Sequence, residues 1–384
     1  MSHSSPFQTQ TPVHSIKDMM RQRHRAYAQD QCILSAMGLY AQLVMGTAFY
    51  LYEHVSTPGY LSILLCLPLL LLMAFLSLRL SRRTKGGAIF SLAGKIPGKA
   101  LALILAAVFF LDAQLAAYAI SAILSDVLPN LSPLLTMMAV ALIMGASIGG
   151  EDEYALPRLS RLVRWPLLIA VIFCAVTALP HGNTAYLSPV LGRGAGSIFQ
   201  GTLWMTGCLS GACCPLLLPH TAQTLSPLRE KGALLYRPLI IAGALAIGYA
   251  AISSCMLPFY SLARPENLGF KLLLFTKVSG YAPAWSLLIF AHLFLMLIAL
   301  SAGVLRSAAL ITWTAGKKKS SPALIIVLLL LLVPAAALKS MDVEKLLIAL
   351  SPFRGAAVLI ILTVLWILSL IRGKPSEWKE ETPS

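Results

Sequence analysis

Between residues 31 and 371 the chain is a succession of apolar runs, most of them long enough to cross a bilayer, joined by short connections that hold most of the charge. A helix of roughly 20 apolar residues rising 1.5 Å per residue spans the hydrocarbon core. In lipid every backbone N–H and C=O must find a partner inside the protein, which leaves helices or closed barrels. Continuous apolar runs, without the alternation of a barrel strand, select helices. Ten runs are legible, at about 31–52, 60–78, 100–124, 134–148, 165–179, 197–219, 238–257, 284–306, 322–338 and 346–371. The expected fold is therefore an all-α polytopic membrane protein of ten transmembrane helices. With 58% hydrophobic and 12% charged residues the chain falls far from a soluble domain, where about a quarter of residues are charged.

The net charge of +15 would suit a nucleic-acid partner if it were gathered on one face, but it is spread over loops, so nucleic acid is excluded. Ten spans put both termini on one side. Counted that way, 23 basic residues lie on the termini side, Arg306 among them, and 7 on the other, including Arg354. The asymmetry places both termini in the cytoplasm. Residues 1–30 read as a flexible cytoplasmic arm ending in Lys17, Arg21, Arg23 and Arg25, and residues 373–384 as a cytoplasmic tail. No cleavable signal peptide is visible. The seven cysteines lie in apolar stretches without a metal-ligand spacing and read as packing residues.

The run 197–219 carries Gly207, Ser210, Gly211 and Pro215 in its middle. Glycine costs about 1 kcal/mol in a helix interior, and proline removes a backbone hydrogen bond. The run is thus either an interrupted helix lining a site or a helix whose small residues admit close neighbours. The first run repeats the signal at Met45-Gly46-Thr47. The first and sixth helices each open a set of five, and an odd-numbered set starts its second copy from the opposite side. That makes an inverted repeat, residues 31–179 and then 197–338 with 346–371, within a domain spanning 31–372. Paired interruptions in inverted halves point to a shared midplane site. Half-helix N-termini there offer amide donors to a carboxylate, and facing carbonyls suit an ammonium, so an amino acid fits; other small polar solutes or ions could use the same groups.

Ten spans with Gly-Thr in the first and a Gly/Ser-rich sixth resemble the amino acid–polyamine–organocation transporter superfamily, with its LeuT-like 5+5 inverted repeat. Several ordered stretches resemble more closely the spore germination permease family, the B subunits of germinant receptors. They are Leu128-Pro-Asn-Leu-Ser-Pro133, Glu153-Tyr-Ala-Leu-Pro-Arg158, Leu187-Ser-Pro-Val-Leu-Gly-Arg-Gly194 and Leu257-Pro-Phe-Tyr-Ser-Leu-Ala-Arg264. The resemblance implies a subunit in the spore inner membrane that senses a small nutrient, such as an amino acid. It also implies two partners, a membrane subunit with large soluble domains and a lipoprotein. The chain departs from that family at Ala212-Cys213-Cys214, where a polar or acidic residue is common.

An ionisable group deep in a span is a functional candidate by default, which singles out Asp112 in the third run, flanked by Gln114 and Tyr118. The alternative is a neutral Asp112 bonded to a neighbouring helix. Trp204 and Met205 precede the interruption of the sixth run as packing or gate, His292 could pair with Asp112, and Ser301 and Gly303 lie where a cation site would need oxygen ligands. The candidate solute-binding set is Met45, Gly46, Thr47, Asp112, Tyr118, Trp204, Gly207, Ser210 and Gly211. Glu151-Asp152-Glu153 reads as a solvated loop. The Gly192–Gly196 run lacks the strand and helix of a phosphate loop. No nucleophile–base constellation or metal-ligand cluster is visible, so neither an enzyme nor a cofactor is expected. Two rival functions remain, a proton- or sodium-coupled amino acid transporter and a structural or assembly subunit that moves no solute.

Overall fold

The computed structural model of the protein describes residues 12–84, 88–127, 155–188, 190–218, 228, 232–256, 282–316, 326–327, 330 and 340–371. The expected span at 134–148, most of that at 322–338, the acidic triplet and the 257–281 connection lie outside the described residues. Within them the helices are α1 (Pro12–Gly46), α2 (Gly59–Arg83), α3 (Lys95–Val127), α4 (Ala155–Ala178), α5 (Ala195–Met205), α6 (Ala233–Met256), α7 (Ala282–Thr314) and α8 (Ser340–Ile371). Seven helical spans among the described residues are long and apolar enough to cross a membrane. They answer to the first, second, third, fifth, seventh, eighth and tenth runs of the sequence.

Some boundaries differ from the sequence reading. α1 begins at Pro12, so the basic residues up to Arg25 continue the rod of the first span instead of forming a flexible arm. No glycine or proline lies between Pro12 and Gly38, and Met, Arg, Gln and Ala favour helix. α7 continues past Arg306 to Thr314, and α8 starts at Ser340.

Burial separates centre from rim. In the first span 88% of the apolar window is buried, against 18% in α4. α1 packs against α4, α6 and α7, while α4 turns Leu162, Trp165, Ile169 and Val176 outward. An apolar rim suits lipid, and a buried rod suits the middle of a bundle. Among the described helices α3 and α7 share the most extensive contact, where the Ser307 hydroxyl donates to the Ala106 carbonyl at 3.0 Å.

Candidate functional site

Both expected interruptions are present, and both are changes of winding. After Gly46 the chain continues as a π-helical segment, Thr47–Val55, closed by Ser56 at φ 69° with its N–H on the Leu51 carbonyl. After Met205 it tightens into a 3₁₀ segment, Thr206–Cys213, before one α-helical turn, Cys214–Leu217. Such windings inside a helix mark hinges and functional sites more often than chance.

The two interruptions touch. A Cβ on Gly46 would lie 2.7 Å from the Met205 sulfur, 2.9 Å from the Cys208 sulfur and 2.9 Å from the Trp204 ring carbon Cζ3. Tyr50, in the π segment, stacks on Trp204 with centroids 4.8 Å apart and planes 8° apart. The Trp204 Nε1–H donates to the Ile348 carbonyl at 2.7 Å. Proline at 352 explains that bond: it has no N–H to give the carbonyl four residues back, which is that of Ile348. The indole supplies the missing donor. Trp204→Phe keeps a stacking ring but leaves this carbonyl without a donor, and should destabilise the protein by about 1–3 kcal/mol, read as a lowered unfolding temperature in detergent.

A buried polar network runs beside these contacts. Asp112 on α3 receives Arg354 Nη1 of α8 on Oδ1 at 2.5 Å, and the Ser210 hydroxyl on Oδ2 at 2.6 Å. Arg354 Nη2 donates to the Ser351 hydroxyl at 2.9 Å. A second guanidinium, Arg306 of α7, reaches the Gly211 carbonyl and the Ser35 hydroxyl of α1, both at a loose 3.5 Å. Asp112, Arg306 and Arg354 are all buried, at 3%, 7% and 3% exposure. Buried charges persist only when paired and hydrogen-bonded, and here, among the described residues, Arg354 pairs with Asp112 while Arg306 is a second cation within electrostatic reach of it. The Arg354 Nε and both polar atoms of the Gln114 amide are buried without a hydrogen-bond partner.

The sequence-derived candidates fall into place around this network. Gly46, Trp204, Gly207, Ser210, Gly211 and Asp112 come together. Met45 and Thr47 are fully buried, and the Thr47 hydroxyl is turned back onto the Leu43 carbonyl at 2.8 Å. Tyr118 is buried one and a half turns along α3 from Asp112. Ser301 donates to its own helix at Leu297 (2.8 Å), and Gly303 gives α3 room at the Phe109 carbonyl. His292 packs its ring against Tyr249, 5.7 Å between centroids. Asp112 takes an arginine where the sequence reading had offered it His292. Arg306 and Arg354, counted from the sequence with the loop charges, are buried within helices, because α7 runs on past Arg306 to Thr314 and α8 begins at Ser340, well before Arg354. Without them the basic count stands at 22 against 6, so the asymmetry survives.

These features define a multi-pass helical membrane protein with two interrupted helices in contact at its centre. Over most of its length the chain is similar to crystal structures of the Eremococcus coleocola manganese transporter. With the form bound to an aromatic bis-isothiourea substituted compound, the TM-score is 0.50 at 13% identity, covering 94% of this chain and 89% of the other. A point mutant of the same transporter gives 0.50 and 12%, covering 100% and 92%. At such identity the likeness is one of fold. No protein-family model and no curated protein sequence matches the chain.

Proposed function

We propose that the protein binds a small carboxylate-bearing nutrient, an amino acid, between the interrupted first and sixth spans, and that it acts as the membrane subunit of a germinant receptor. The observation that carries the ligand class is the charge of the buried network: Arg306 and Arg354 face a single carboxylate, and Arg354 keeps an N–H without an acceptor. A solute carboxylate supplies both the missing charge and the missing acceptor. Guanidinium groups suit planar carboxylates in this way. A divalent cation is opposed by the same excess, and among the described residues no group of His, Cys, Asp or Glu could hold a metal. The manganese of the structural neighbours is therefore not carried over.

Ligand binding would bias a two-state bundle through unequal affinity for its states and pass that bias to a membrane subunit with soluble domains and a lipoprotein. The alternative is a proton- or sodium-coupled carrier, supported by the transporter-like fold. A scaffold without a working site is the third reading, favoured only by Ala212-Cys213-Cys214.

Thermal unfolding of the purified protein against a panel of amino acids tests the proposal. A ligand at 100 times its dissociation constant should stabilise by about 2.7 kcal/mol, and Arg306→Gln should abolish the shift. Stabilisation by manganese and by no amino acid would overturn it. Counterflow in vesicles then separates carrier from receptor, and co-purification of the two partners tests the receptor reading.

A further inference from the structure

Away from the central network, α1, α4, α6 and α7 enclose a cavity of about 260 Å³. Its walls include Met37 of α1, Val171 of α4, and Ile241 and Leu245 of α6, and Arg164 of α4 and Arg237 of α6 also line it. α4 and α6 begin on the same side of the bundle, so both arginines sit near helix starts while the apolar wall runs inward. From Arg237 to Leu245 that wall extends about 12 Å along the helix.

The neighbouring side chains decide what could enter. Trp165 and Ile241 are 57% exposed and Ile169 is 63% exposed, so the opening faces an apolar medium and not water. Arg164 stacks on Trp165, with 5.1 Å from guanidinium to ring centroid, and tryptophan beside arginine is the signature of the headgroup level. The Arg164 Nε is buried without a hydrogen-bond partner. The nearby acid is Asp30, whose carboxylate lies 3.7 Å from Arg161 and within electrostatic reach of Arg158 and Arg164. Among the described residues Arg161 and Arg164 thus share one carboxylate, and Arg237 adds a further positive charge to the lining of the groove.

We infer that this groove holds one anionic phospholipid of the leaflet on the termini side, its phosphate between Arg164 and Arg237 and an acyl chain along Met37, Val171, Ile241 and Leu245. Basic pockets between membrane helices recognise acidic headgroups by this combination. The site is separate from the central network and does not depend on the proposed nutrient. It also has a structural consequence: the lipid would bridge the exposed α4 to the buried α1.

The test uses the full chain in nanodiscs of phosphatidylcholine with or without phosphatidylglycerol. Lipid retained after delipidation is read by native mass spectrometry, and unfolding temperature is read in parallel. The parent should retain phosphatidylglycerol in preference and gain stability from it. Each arginine near an acidic headgroup is worth about a fivefold change in affinity, so Arg164→Gln with Arg237→Gln should cut the preference roughly 25-fold. Arg193→Gln, a charge loss on the opposite side, should leave it unchanged. Ile241→Trp fills the groove with both charges kept and should lower retention of the lipid in a folded protein. Equal retention of both lipids by the parent, or an undiminished preference in the double variant, would overturn the inference.

Discussion

Asp112→Asn is expected to be among the most damaging single substitutions in the chain, lowering stability by about 3–5 kcal/mol. It removes the one carboxylate among the two buried guanidinium groups and leaves Arg354 charged beside Ser351 and the helix interruption. Arg354→Leu should cost less, because an orphaned carboxyl can take up a proton and become neutral whereas a guanidinium stays charged. Combining the two should recover most of the loss, since a buried ion pair replaced as a unit is often neutral in stability. Unfolding of all four proteins in one detergent completes a double-mutant cycle. Strictly additive losses would show that the pair is not a pair.

Gly207→Val is the second large effect. A Cβ at 207 would run into the Ser351 backbone carbonyl, and one at Gly355 would run into the Thr206 backbone, at 2.5 Å from its carbonyl carbon. Backbone meets backbone, so neither side can turn away. The expected cost exceeds the about 1–3 kcal/mol of ordinary overpacking and should appear as loss of the monodisperse peak on size-exclusion chromatography. Gly46→Ala makes a useful contrast, since its Cβ would meet the side chains of Met205, Cys208 and Trp204, and the methionine can swing aside. It should fold with a modestly lowered unfolding temperature. An equal collapse of both variants would contradict this account.

Much of the frame was written locally. Seven runs became helical spans because apolar length alone decides that in lipid, and Gly207, Ser210, Gly211 and Pro215 marked the sixth as broken because each acts on its own turn of helix. Asp112 also stood out, as a lone charge amid apolar neighbours. Its partner did not: Arg354 follows Ser351-Pro352-Phe353 near the start of an apolar run, a pattern that looks like a loop. Arg306 likewise closed an apolar run, although the helix goes on for two more turns. The π winding of Thr47–Val55 has no sequence mark beyond Gly46, since it depends on Trp204 and Met205 arriving from far along the chain. Local signals gave the spans. The charges that meet inside them are a property of tertiary contact.

The distance between Asp112 and Arg354 along the chain, 242 residues, sets an order of events during biogenesis. At about 5–20 residues per second, the ribosome needs something like ten to fifty seconds to deliver the arginine after the carboxyl has been made. For that interval the third helix waits in the insertion machinery with an unmatched acid, a state costing about 2.5–3.5 kcal/mol at the bilayer centre. Chains ending before residue 354 never leave this state, whereas those ending after it can close the bridge. Arrested chains cut on either side of Arg354 should therefore differ sharply in protease resistance and in cellular half-life, making the last helix a checkpoint for completeness as well as a wall of the bundle.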